Sequence, residues 1–170
     1  MIGKEWARIF ALLALALPGS ALGQTADEAR HETVSWTSSV QPEKAVKPAG
    51  ALKLTLHGQV LDGWHVYSLK QLPGGPTPLL VTLDPNKVAS ASGEPAGSPA
   101  TRIHDPGFNL ETQYYSHEFT VTLPVRLSSR LAAGRQTIPV SVRFQTCNDR
   151  ICQPPKIVHL TQPVDVAPNE

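Results

Sequence analysis

The chain has 170 residues, with 15 basic against 14 acidic side chains and a formal net charge of +1. So even a balance leaves no electrostatic footprint for nucleic acid or for an anionic membrane surface. Sixteen prolines and twelve glycines punctuate short alternating runs, which argues for an all-β fold and against a helical one.

The first element reads as an export signal. Lys4 and Arg8 make a positive start, Ile9 to Leu17 form a short apolar run, and Ala21-Leu22-Gly23 offers a small-x-small cleavage site before Gln24. The apolar run is about half of the roughly 20 residues a membrane helix needs. Residues 1–23 are therefore expected to be a signal peptide, with a retained N-terminal anchor as the competing reading. No cysteine follows the run, which argues against a lipoprotein anchor, and no later segment is apolar enough to span a bilayer. The mature chain is expected to be exported, soluble and without stable membrane insertion. Export places its two cysteines in an oxidising compartment.

Residues 24–47 read as an N-terminal segment and linker, containing one strand candidate, Val34 to Val40. Leu52, Leu54 and Leu56 then alternate with Lys53, Thr55 and His57, so one face of that strand is expected to be buried. Trp64 to Tyr67 and Leu79 to Leu83 are shorter candidates. QLPGGPTP (71–78), ASASGEPAGSP (89–99) and HDPGFNLETQ (104–113) read as loops, being rich in turn residues. Phe119, Val121, Leu123 and Val125 alternate cleanly, as do Val140, Val142 and Phe144, and Ile157 to Thr161 closes the series. About seven strands with turns between them suit an immunoglobulin-like β-sandwich. Its expected bounds are residues 48–165, with a tail over 166–170.

TCNDRICQPPK (146–156) contains both cysteines of the chain. Residues 138 to 147 are expected to form one strand, and Asn148 to Ile151 a tight turn. Cys147 and Cys152 then oppose each other across a hairpin, at a spacing a disulfide accepts. Closing six residues removes little unfolded-state entropy, on the order of 2 kcal/mol, so the bridge is a weak staple. By alternation Cys147 falls with Ser141, Arg143 and Gln145 on the polar face, which suggests an accessible sulfur. Pro154 and Pro155 cannot donate ladder hydrogen bonds, so pairing should lapse after Cys152. Arg150 could favour a thiolate or simply be a solvated turn residue. These residues alone leave a structural clip and an exchanging disulfide about equally open. A thiolate–histidine metal site using His159 fits poorly with usual ligand spacings.

The stretch FQTCNDRICQPPKIVHL resembles the active-site hairpin of the N-terminal periplasmic domain of DsbD-type thiol:disulfide interchange proteins. LDGWHVYSL (61–69) resembles that family's Asp-Gly-aromatic-x-x-Tyr strand, and HDPGFNLETQYYSHEFTVTLPV (104–125) its cap loop and following strand. The resemblance covers about Pro48 to Leu160. It implies a periplasmic immunoglobulin-like domain that passes electrons through a reversible Cys147–Cys152 disulfide, with Cys152 forming mixed disulfides. Phe108 would cap the sulfurs, and His65 and Tyr67 would stand beside them, although all three also read as ordinary strand or loop residues. Such a domain is an oxidoreductase in the broad sense and needs no metal or organic cofactor. A thioredoxin-like or membrane thiol reductase would be the donor, because neither segment is found in this chain. Oxidised exported proteins, including disulfide isomerases and cytochrome c maturation factors, would be acceptors. The alternative is a non-catalytic binding module whose disulfide is structural.

Overall fold

The structure is a computed structural model and describes residues 32–168. The expected signal peptide, residues 1–23, lies outside the described residues. In chain order the strands are β1 (Val34–Gln41), β2 (Ala51–Val60), β3 (His65–Tyr67), β4 (Leu80–Leu83), β5 (Ala89–Ala91) and β6 (Ala96–Gly97). They continue with β7 (Thr101–Asp105), β8 (Leu110–Tyr115), β9 (Glu118–Leu127), β10 (Gly134–Phe144), β11 (Thr146–Cys147) and β12 (Lys156–Val166). The described residues are all-β, an immunoglobulin-like sandwich as expected. No helix among them is long and apolar enough to cross a membrane.

Two sheets carry the core. One runs β1-β2-β9-β5, with β6 also on β9, and the other runs β12-β10-β4. The alternation in the sequence is the alternation of burial. Leu52, Leu54 and Leu56 of β2 lie opposite Val125, Leu123 and Val121 of β9, and all six are buried. Ile138, Val140, Val142 and Phe144 of β10 close the core from the other sheet. Each such side chain contributes about 1.5 to 3 kcal/mol on leaving water. Gly58 sits opposite Phe119, where an added Cβ would come within 2.5 Å of the phenyl ring. The missing side chain leaves room for Phe119, which stacks on Tyr115 and meets Trp36 edge-on at 5.4 Å.

The sandwich begins earlier than residue 48. β1 pairs with β2 along its whole length, from Val34↔Val60 to Gln41↔Lys53, so half of the described part of the expected linker belongs to the sheet. ASASGEPAGSP was expected to be a loop, yet β5 and β6 within it pair with β9. Small residues make this edge possible, since a Cβ on Gly97 would lie 2.1 Å from the Tyr115 hydroxyl.

The third sheet, β11-β3-β8-β7, carries the cysteines. Its β7–β8 hairpin replaces the loop expected over 104–113. β7 is an edge strand with Thr101 to His104 all exposed, so no buried face imposes an alternating pattern for a reader to find.

A disulfide between two sheets

The hairpin strand expected over 138–147 is broken at Gln145. β10 ends at Phe144 paired with β12, and Thr146 and Cys147 pair instead with Val66 and His65 of β3. Gln145 occupies the crossing: its Oε1 accepts from the Thr77 N–H at 2.9 Å, and its carbonyl accepts from the Tyr67 N–H at 3.3 Å. Changing sheets resets the alternation, so Cys147 is buried at 2% exposure. The polar-face position read from Ser141 and Arg143 is thus corrected. Thr146 is buried as well, its Oγ1 2.9 Å from that of Thr33.

Cys147 and Cys152 oppose each other as expected, in an antiparallel bridge and as a formed disulfide with Cα atoms 4.0 Å apart. The flanking hydrogen bonds run from Asn148 N–H to the Ile151 carbonyl and from Gln153 N–H to the Thr146 carbonyl, each 2.9 Å. The cysteines therefore occupy a non-hydrogen-bonded pair, the closer of the two antiparallel spacings. Asn148 builds the turn, because its Oδ1 accepts from the N–H groups of Arg150 and Ile151 at 2.9 and 2.8 Å. Cys152 is exposed, and no strand covers Gln153 to Pro155 before β12 starts at Lys156. The two cysteines thus differ: Cys147 is enclosed and Cys152 is exposed to solvent. Arg150 is exposed in the turn.

A cavity of about 450 Å³ opens beside the bridge. Its lining includes both cysteines, His65, Tyr67, Tyr114, Asp105 and two exposed isoleucines, Ile103 and Ile151. His65 and Tyr67 reach the cavity from β3. The His65 ring lies 4.7 Å from that of Tyr114 and meets the edge of Tyr67 at 5.2 Å. Burial lowers the His65 imidazole from its ordinary value, against a smaller upward pull from the Asp105 charge. The same burial, with the hydrogen bond and charge of Asp105 added, pushes the Tyr67 phenol up.

Asp105 organises the loop. Its Oδ2 accepts from the Tyr67 hydroxyl and its Oδ1 from the Gly107 N–H, both at 2.8 Å. This places Phe108, at the hairpin tip, edge-on to Tyr67 with centroids 5.9 Å apart. Phe108 is half-buried against Tyr67, while Cys152 remains exposed. Asp105 and Asn148 were not singled out as site residues. Each begins a turn in which its own side chain accepts from the backbone two residues on, a signal readable in Asp-Pro-Gly and in the Asn following Cys147. Tyr114 and Ile103 had no such signal, because they reach the cavity only through the β7–β8–β3 pairing. His159, the nearest histidine in sequence, lies elsewhere: it pairs with Ser141 across β10–β12 and contacts Asp84 at 3.2 Å.

The family model described as "Thiol:disulfide interchange protein DsbD, N-terminal" matches residues 37–161. Among solved structures, the N-terminal periplasmic domain of ScsB from Proteus mirabilis is similar at a TM-score of 0.50 and 16% identity, over 81% of this chain and 48% of that chain. This chain therefore spans about half the length of that relative. AggA, the major subunit of aggregative adherence fimbriae type I from Escherichia coli, aligns at a TM-score of 0.38 and 11% identity over 79% of this chain and 95% of its own. No curated protein matches. With three quarters of its length inside the family model and a disulfide at the matching hairpin, the chain belongs to the DsbD N-terminal family of thiol:disulfide interchange domains.

Proposed function

We propose that Cys147–Cys152 is a reversible disulfide through which this domain carries electrons between exported proteins in the periplasm. A thioredoxin-like or membrane-bound thiol reductase is the donor, and oxidised periplasmic proteins are the acceptors. The observation that carries this reading is the asymmetry of the bridge, with Cys152 exposed and Cys147 buried. The exposed residue of the pair, Cys152, is the one an incoming thiolate attacks.

In the loading step the donor's thiolate attacks Cys152 Sγ, the Cys147–Cys152 bond breaks, and its electron pair leaves on Cys147. A second donor thiol then resolves the mixed disulfide and leaves the pair reduced. In the delivery step the Cys152 thiolate attacks an acceptor disulfide, and Cys147 displaces the acceptor. Two electrons move in each direction, and no metal or organic cofactor enters. Phe108 takes the part of a cap: its contact with Tyr67 holds the hairpin tip beside the cavity, and a docking partner displaces it.

The test is a reduced Cys147→Ser variant, with Cys152 as its one thiol, offered to a thioredoxin-like protein that lacks its resolving cysteine and carries the remaining one as a mixed disulfide with an aromatic thiol, which leaves as the adduct forms. A covalent adduct through Cys152 is expected, together with a reduction potential for the native pair above about −300 mV. A more negative potential and no adduct would make the bridge a structural clip in a binding module.

A further inference from the structure

Cys147 is buried at 2% exposure, and delivery requires its thiol to lose a proton while it sits behind Cys152. An ordinary thiol titrates near ~8.5, leaving only a few per cent as thiolate at neutral pH, and burial raises that value further. A sulfur enclosed in this way needs a base inside the cavity. Of the described histidines, His65 alone lines it. His65 is also the residue directly opposite Cys147 in the β11–β3 register. Directly opposed residues project to the same side of a sheet with Cβ atoms about 4.5 to 5.5 Å apart. That distance lets an imidazole nitrogen approach the sulfur.

We infer that His65 is the proton acceptor for Cys147 in the step that releases the acceptor protein, an assignment that rests on the exchange reading above. In the mixed disulfide the Cys147 thiol gives its proton to a ring nitrogen of His65. The sulfur's electron pair forms the bond to Cys152 Sγ, and the bond between Cys152 and the acceptor's sulfur breaks. The acceptor leaves as a thiolate with the electron pair and takes the proton from the imidazolium. The pair is oxidised by two electrons, and the acceptor is reduced by two.

The surroundings suit this cycle. Burial keeps His65 neutral at pH 7, ready to accept. Asp105, on the β7 side of the same cavity, stabilises the imidazolium once formed. The other titratable and charged groups lining the cavity are Tyr67, Tyr114, Asp149, Arg150 and Cys152. The first two fix the ring through the contacts at 5.2 and 4.7 Å. Asp149 and Arg150 are exposed on the turn, where their opposite charges offset each other.

The test uses the reduced protein and the aromatic disulfide DTNB, which needs no partner. Attack by Cys152 releases a first coloured thiolate, and resolution by Cys147 releases a second. The readout is the ratio of second to first release rates across pH. His65→Phe keeps a ring in the strand, and His65→Gln keeps polarity. Both are expected to lower the ratio by about tenfold or more at pH 7, consistent with loss of a general base. The deficit should shrink as pH rises and Cys147 ionises unaided. An unchanged ratio in either variant overturns the assignment. A parent protein that releases no second thiolate sinks the exchange reading itself, and the role of His65 with it.

Discussion

The Tyr67 hydroxyl donates a 2.8 Å hydrogen bond to Oδ2 of Asp105, tying the strand beside the disulfide to the tip of the β7–β8 hairpin. The other carboxylate oxygen holds the Gly107 N–H, so one side chain fixes both the turn and its attachment. Tyr67→Phe removes one of these bonds and is expected to cost about 1.5 kcal/mol, as for a hydrogen bond to a charged group. Asp105→Ala removes both and should cost more. Urea denaturation of the two variants checks the order.

Asn148 shapes the turn between the cysteines through two backbone hydrogen bonds. While the disulfide is closed, the covalent bond holds that turn, so Asn148→Ala should cost less than about 1 kcal/mol. In the reduced protein the turn stands alone, and the loss should be larger. Denaturation with and without reductant separates the two states. Equal losses would mean that Asn148 does not shape the reduced hairpin.

Reducing the bridge in the unmodified protein is expected to lower stability by no more than about 2 kcal/mol, because the closed loop is short. The same pair of denaturation curves measures this. A drop of twice that size would mark the disulfide as a principal support of the fold.

Gly58 leaves space for the Phe119 ring, and a Cβ there would lie 2.5 Å from two ring carbons. Gly58→Ala must push Phe119 against Trp36 and Tyr115, its ring neighbours. The expected cost is about 1 to 3 kcal/mol, typical of overpacking, and it should appear as a lower Tm in both redox states. An effect confined to one state would point to coupling with the disulfide instead.

His65 also sets a pH dependence. Its value in the folded chain lies below the unfolded one, so the unfolded chain binds the proton first as pH falls. Stability from this group is complete above the unfolded value of about 6.5 and is lost as pH drops through the folded value, with a slope of at most about 1.4 kcal/mol per pH unit. Between pH 7.5 and 5.5 the parent should therefore lose more stability than His65→Phe. Urea midpoints at both pH values give the comparison.

What the sequence by itself determined was local. Alternation in Leu52 to Leu56, Phe119 to Val125 and Val140 to Phe144 marks strands that bury one face, because neighbouring side chains on a strand point to opposite sides. The Cys147–Cys152 hairpin was legible for the same reason, since a short turn decides which residues oppose each other. Tertiary structure decided what local pattern cannot carry. The chain changes sheets at Gln145, so the parity counted from Ser141 fails two residues later and Cys147 is enclosed while Cys152 stays open. β7 was hidden because an exposed edge strand has no alternation to display, and β8 because its two buried residues, Thr112 and Tyr115, stand three apart and make no alternating pattern. Asp105, Tyr114 and His65 meet the bridge only through strand pairings that join residues tens of positions apart. The two cysteines are chemically identical in the sequence, and the crossing between sheets makes them unequal.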